Sequence, residues 1–219
     1  MPRRHIAPII PANEQEYRVY HGNLILANIY AVTHLGEAIL NAYHDREPLG
    51  MGSEKVVYPH LAHTGQVVAF YQNHGDETDQ ISLSELRKRY FTIKLMHLLL
   101  PVNIPDAHFV SSDPPRMHLD MVTSQPVTDG KFEELYRELS NRATVLGVSL
   151  DPKRNNYLLG DDGNLKYVDD FGLPADLTDL EAGIQKIEAP DIRDRALKYA
   201  DRAHLQLPSF GGSAGSTGL

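Results

Sequence analysis

Between Asn23 and Tyr43 the apolar residues Leu24, Ile25, Ile29, Val32, Leu35, Ile39 and Leu40 recur at helical spacing. That pattern predicts one long amphipathic helix, with Asn23 as its N-cap and Pro48 beyond its end. Next come two short Val-rich runs, Lys55 to Tyr58 and Gln66 to Tyr71, joined by a turn region containing Gly65; they read as a β-hairpin. Residues 82–100, "SLSELRKRYFTIKLMHLLL", open with Ser82 three residues before Glu85, a capping-box spacing. With Leu86, Tyr90, Ile93 and Leu95 to Leu98 on its faces and Pro101 as its stop, this is a second helix. Ala107 to Val110 and Arg116 to Val122 read as short strands around "SSDPP". Residues 131–146 form a third helix that ends at Gly147. The stretch 150–173 reads as strand, a turn at Asp161-Asp162-Gly163-Asn164, and strand. From Leu177 to His204 the pattern is helical, interrupted at Pro190, and the terminal "GGSAGSTGL" reads as a flexible tail. No internal repeat stands out. The order defines an α+β chain, strand-rich in its first half and helix-rich in its second.

Composition narrows the function classes. With 219 residues, 42% hydrophobic and 23% charged, the chain suits one domain or two small lobes with a real core. The formal net charge of −8 argues against a sequence-independent grip on nucleic acid phosphates. The absence of Cys excludes a disulfide scaffold, a thiolate metal site and a cysteine nucleophile, and agrees with a reducing compartment. At the N-terminus an Arg pair precedes a short apolar stretch broken by Pro8 and Pro11, which is neither a Sec signal nor a membrane span. The longest apolar stretch, Leu24 to Ala31, is also too short to cross a bilayer. The expectation is a soluble protein, cytoplasmic or secreted by a route that leaves no cleavable signal. His60-Leu61-Ala62-His63 lacks the H-E-x-x-H zinc pattern, so these read as surface histidines. No G-x-S-x-G motif supports serine hydrolase chemistry. The run Arg87-Lys88-Arg89 reads as a solvated face, or as a docking site for an acidic partner.

The chemistry concentrates in "LDPKRNNYLLGDDGNLKYVDDFGL", residues 150–173. Singly, Asp161, Asp162, Gly163 and Asn164 make an ordinary hairpin turn, while Asp151 and Asn156 cap or turn the backbone. As an ordered set, Asp151, then Asn156, then strand, turn, strand and Asp169-Asp170-Phe171-Gly172 resemble the catalytic and metal loops of protein kinases. The resemblance implies that Asp151 orients an attacking hydroxyl, that Lys153 stands beside the transferred phosphate, and that an amide oxygen and a carboxylate bind hard Mg²⁺. Literal D-F-G matching selects Asp170. However, the resemblance implies a metal Asp that follows two apolar strand residues, as Asp169 follows Tyr167-Val168, and a distance from Asn156 that suits Asp169 better, while strand alternation would send the two carboxylates to opposite faces. Asp169 is the expected ligand, with Asp170 as the alternate.

Upstream, Leu49-Gly50-Met51-Gly52 ahead of Val56-Val57-Tyr58 resembles the kinase Gly-rich loop, with Lys55 where the third Gly would stand. In Val68-Ala69-Phe70-Tyr71, Tyr71 occupies the place of the lysine that pairs with the phosphates. Lys55 on the preceding strand is similar to the relocated lysine of the with-no-lysine kinases, and Glu85 is its natural partner. Such a charge is worth about 4 kcal/mol at ~4 Å in an effective dielectric near 20, before desolvation. An exposed strand lysine and plain capping-box duty are the competing readings of Lys55 and Glu85.

The resemblance spans residues 48–173, with a hinge-like segment around Leu119 to Thr123. It departs from the family at Ser149, which replaces the His of H-R-D, in the absence of A-P-E, and in the short chain after Gly172. Minimal kinase-like folds of this kind resemble secreted bacterial effector kinases. The resemblance implies a bilobal protein-kinase-like fold: residues 1–47 a helical extension, 48–122 a strand-rich N-lobe, 123–207 a truncated helical C-lobe and 208–219 a disordered tail. It also implies Mg-ATP as nucleotide, with phosphates bound under Gly50 and Gly52 and by Lys55. The reaction expected is γ-phosphoryl transfer to a protein hydroxyl, Ser/Thr ahead of Tyr, on a host protein if the chain is an effector. A small-molecule phosphotransferase, a catalytically dead binding module and AMP transfer remain open alternatives.

Overall fold

The computed structural model describes residues 29–52, 54–71, 81–173 and 176–208. The expected N-cap Asn23 and the tail 211–219 lie outside them. The described residues are mixed α+β and fall into two compact units. The first takes the described chain up to Leu86 together with His108–Met121, and the second takes Arg87–Ala107 and the chain from Val122 onward.

In the first unit, α1 (Ile29–His44) is followed by strands β1 (Gly50–Met51), β2 (Lys55–Pro59) and β3 (Gln66–Tyr71). β4 (Ala107–Ser112) and β5 (Pro115–Asp120) complete a five-stranded sheet of order β1-β2-β3-β5-β4. The β1–β2, β2–β3 and β3–β5 pairs are antiparallel. Gly65, at φ +90°, adopts the left-handed backbone that the turn before β3 requires. Because successive side chains alternate across a sheet, Val56, Tyr58, Val68, Phe70, Arg116 and His118 share one face. Ile39 and Tyr43 of α1 pack on that face against Val68 and Phe70. The Tyr43 ring lies 5.4 Å from Tyr58 and 5.0 Å from Phe70, tilted and edge-on. Such aromatic pairs contribute about 0.5–1.5 kcal/mol each beyond their burial. Leu40, read as part of the α1 stripe, is instead exposed, one residue past the row that Ile39 and Tyr43 define.

α2 (Leu83–Leu99) starts where the capping box predicts, with Glu85 N–H donating to Ser82 Oγ at 3.1 Å. Its residues from Arg87 onward belong to the second unit. That unit also holds α3 (Asp129–Val145), a 3₁₀ turn (Arg154–Asn156), the β6 (Tyr157–Leu159) and β7 (Leu165–Tyr167) hairpin, α4 (Thr178–Gln185) and α5 (Pro190–Arg202). Pro190 breaks the helical pattern by opening α5 at its first turn, where its missing N–H costs nothing. The core is a ladder of rings. Phe132 lies 5.8 Å from Tyr157, Tyr157 5.2 Å from Tyr167, and Tyr167 5.2 Å from Phe171. α4 comes so close to the end of α3 that a side chain at Gly183 would meet Leu146 Cδ2 at 2.4 Å. Among the described residues no helix is long and apolar enough to cross a membrane.

Candidate functional site

The second unit gathers five of the predicted site residues, Asp151, Lys153, Asn156, Asp169 and Asp170, on two adjoining loops. The Asp151 loop and the Asp169 loop are tied by a β-bridge between Ser149 and Gly172 and by Val168 N–H donating to the Asn156 carbonyl at 2.9 Å. Asp151 Oδ1 accepts from Lys153 N–H at 3.0 Å, and Asp151 Oδ2 lies 3.0 Å from Lys153 Nζ. These contacts hold the Asp151 carboxyl below its ordinary pKa, the backbone N–H contributing most, with Asn156 adding a smaller share. Lys153 is raised in turn, first by its hydrogen bond to Asp151 and more weakly by the charge of Asp169. Both groups are therefore charged at neutral pH. Tyr157 Oη donates to the Asp151 carbonyl at 2.7 Å, so the ring ladder of the core fixes the backbone of this loop.

Asp169 and Asp170 differ in their surroundings. β7 ends at Tyr167 and Asp169 lies in a bend, so the alternation expected of a strand does not separate the two carboxylates. Their partners do. The Asp170 carboxylate pairs with Arg89 of α2, whereas the charge of Asp169 falls on Lys153 and Tyr157, beside Asp151. Burial first, then the nearby carboxylates Asp169, Asp151 and Asp170, raise Tyr167 to about 12.

The first unit carries the other predicted residues. Gly50 pairs with Val57, Leu49 N–H donates to the Val57 carbonyl at 2.8 Å, and Gly52 N–H donates to the Lys55 carbonyl at 2.9 Å. The described residues of the predicted Gly-rich segment thus pair with β2. A side chain at Gly50 would meet nothing within 4 Å, and at Gly52 only the Lys55 carbonyl at 3.8 Å. Packing demands glycine at neither position. Lys55 stands directly opposite Tyr71 across β2 and β3. Residues so paired have Cβ atoms about 5 Å apart on one face. On the same face lie Val57 and the fully buried Ala69 and Met117, giving an apolar strip with a lysine at its end. Glu85 occupies the first turn of α2.

Three features escaped the sequence reading. Asn103, from the loop "PVNIPD", is buried and bonds three ways: Nδ2 donates to the Leu165 carbonyl at 2.7 Å, Oδ1 accepts from Arg142 Nη1 at 2.8 Å, and its carbonyl accepts from Tyr167 N–H at 2.9 Å. Arg154 anchors the 3₁₀ turn to the start of α3 through Asp129 Oδ1 and the Val127 carbonyl, both at 2.9 Å, and lies over the Phe132 ring. Arg89 departs from the solvated face expected of its triplet; Arg87 and Lys88 are exposed, but Arg89 is half-buried on Asp170.

The surface reading of the histidines is also corrected. His60 and His118 are buried, with rings 4.6 Å apart, and the His63 ring lies tilted 4.8 Å from that of His60. His60 is buried because it closes the turn before β3, its Nδ1 accepting from the N–H groups of both Ala62 and His63 at 3.0 Å. That fixes its proton on Nε2, so the neutral ring has no lone pair left for a metal.

Among the described residues no group of three or more His, Asp or Glu is arranged to hold a metal ion. The expected Mg²⁺ ligands are a carboxylate and an amide, a smaller set that still fits that ion: both are hard oxygen donors, and Mg²⁺ is characteristically held by one or two carboxylates plus phosphates and water. Asn156 Nδ2 is buried without a hydrogen bond of good geometry, and its carboxamide lies beside the Asp151 carboxyl, whose pKa it helps to lower. No protein-family model matches the chain, and no curated protein sequence matches it.

Proposed function

We propose that this protein is a phosphotransferase of the protein-kinase-like type, moving the γ-phosphoryl group of ATP to a protein hydroxyl. The observation that carries this reading is the convergence of Asp151, Lys153, Asn156 and Asp169 on two adjoining loops, with the Asp151 carboxylate and the Lys153 ammonium charged at neutral pH. Asp151 accepts or orients the proton of the acceptor hydroxyl. A bond forms from that oxygen to the γ-phosphorus, the bond to the β–γ bridging oxygen breaks, and ADP leaves. Lys153 neutralises charge on the transferred group. Asn156 and Asp169 are the residues that would hold Mg²⁺, which supplies further neutralisation of phosphate charge when bound. Gly50 and Gly52 offer backbone to the phosphates, and Lys55, with Glu85 as its partner, supplies the cation that Tyr71 cannot. The bilobal arrangement of the two units belongs to the same proposal.

Exposure of the acceptor side favours a macromolecular substrate. Pro152, Lys153, Arg154 and Asn155 are all exposed, and the Asp151 side chain is 34% exposed. Small metabolites are usually engulfed in concave pockets, whereas a hydroxyl on a protein surface can reach a base on an open loop.

Incubation of the full chain with a mixed protein lysate, Mg²⁺ and ATP labelled at the γ- or the α-phosphate tests the reading. Protein bands labelled only from γ-ATP, and lost with EDTA, are expected. Label from α-ATP would reassign the reaction to AMP transfer, a labelled metabolite would reassign the acceptor, and no label in any product would leave a nucleotide-independent binding module.

A further inference from the structure

The two neighbouring carboxylates after β7 are treated differently by the fold. Arg89 Nη1 donates to Asp170 Oδ2, in an ion pair whose side chains are 25% and 21% exposed. Tyr167 Oη donates to the Asp170 carbonyl at 3.1 Å. Asp170 is thus gripped at its side chain from α2 and at its backbone from β7. Leu86 and Tyr90, near Arg89 on α2, are both buried. Adjacent carboxylates repel when both are ionised, and a guanidinium on one of them removes that penalty while its planar fork sets a direction. The charge of Asp169 acts on Lys153 and Tyr157 next to Asp151, and on Tyr167 together with Asp170.

We propose that Arg89 is a positioning residue: by holding Asp170 it presents Asp169, and not the literal D-F-G carboxylate, to the metal ion that accompanies the nucleotide. This rests on the phosphotransfer reading above. It also gives the basic triplet on α2 a role that its sequence did not suggest.

The test is calorimetric titration of ATP into the full chain across a range of MgCl₂ concentrations. In the wild type, ATP binding should tighten with Mg²⁺. Asp169→Asn should abolish that dependence. Arg89→Met and Asp170→Asn should each raise the Mg²⁺ midpoint roughly 10-fold, the usual cost of losing an outer partner of a metal ligand. ATP binding without metal and the near-UV circular dichroism should stay unchanged, which separates a positioning role from a lost fold. Arg89→Lys, keeping the charge but not the fork, should fall between. The double variant Arg89→Met/Asp170→Asn should be no worse than either single change, because both act through one contact. An unmoved midpoint in Arg89→Met, or loss of Mg²⁺ dependence in Asp170→Asn but not Asp169→Asn, overturns the role of Arg89. A wild type whose ATP binding ignores Mg²⁺ overturns the phosphotransfer reading and this inference together.

Discussion

In the first unit His118 is 2% exposed, whereas in the second the Lys153 side chain is 78% exposed. Each belongs to a dense polar cluster, and the two clusters follow opposite rules. His60, His63, His118 and Arg116 are packed among aromatic rings, and burial first, then the neighbouring cations, push His118 down to about 2 and His60 to about 4. The imidazoles of His60 and His118 are neutral at physiological pH, and the His60 ring is committed to a backbone turn. Arg116 spends its guanidinium on the Asp113 and Pro114 carbonyls at 2.9 and 3.2 Å. Asp151 and Lys153 instead keep their charges at the surface, and no core packing requires them there. The lesson is that polar density alone does not mark a site. Charge retained in the open, on a loop anchored by core residues such as Tyr157 and Arg154, is the more informative sign.

The sharpest way to break this contrast is to remove one charge from the open cluster. Asp151→Asn should lower labelled phosphoryl transfer roughly 10²–10⁴-fold, while its thermal midpoint stays that of the wild type; loss of fold together with activity would make the two clusters alike. Next in size, Lys55→Met should cost about 100-fold in transfer, the scale of one lost stabilising group. Adding Tyr71→Lys should recover part of it, because positions 55 and 71 face each other across the hairpin. Full activity in Lys55→Met alone would remove Lys55 from the site.

The buried cluster should respond in the other currency. His60→Ala strands the N–H groups of Ala62 and His63 and should destabilise by about 2 kcal/mol, read as a lower urea midpoint at unchanged m. Transfer per folded molecule should be unaffected, and a selective loss of transfer would connect this cluster to the chemistry.

The gentlest probe is pH. His60 has a folded pKa of about 4, below its unfolded value of 6.5, so the unfolded chain binds more protons through that window. Stability should be complete above pH 6.5 and fall toward pH 4, by at most about 1.4 kcal/mol per pH unit for each proton taken up. The groups facing the ring are His63, His118 and Arg116, with Tyr43 of α1 and His108 of β4 acting on that same cluster. Asp162, lowered to about 2 mainly by Lys166, loses its contribution only below its ordinary 3.8, so its window is separate. A urea midpoint that is flat from pH 7 to 5 would show that the imidazoles are not held neutral by the fold.

Much of the fold was legible along the chain. The β2–β3 hairpin, the capping box at Ser82, the end of α3 at Gly147, the turn at Gly163 and the break at Pro190 all rest on interactions within a few residues. The acidic loop set was legible as well, since Asp151, Asn156 and Asp169 lie within one short stretch. Arg116 and His118 were not, because a polar residue on a short strand carries no mark of the face that will be buried, and neither was His60, whose turn is closed by its own ring. Asn103 gave no signal at all; its partners, Leu165, Arg142 and Tyr167, belong to elements distant in sequence.

The sequence by itself therefore determined the α+β order of elements and the candidate chemistry, because periodicity, capping and turn geometry are local. Tertiary structure alone decided that Lys55 lies opposite Tyr71, which is a matter of strand register. It alone decided that Asp170, one of two adjacent, chemically identical carboxylates, is drawn to Arg89, 81 residues away. Which long-range surfaces meet depends on what the whole fold buries together, and no local pattern encodes that choice.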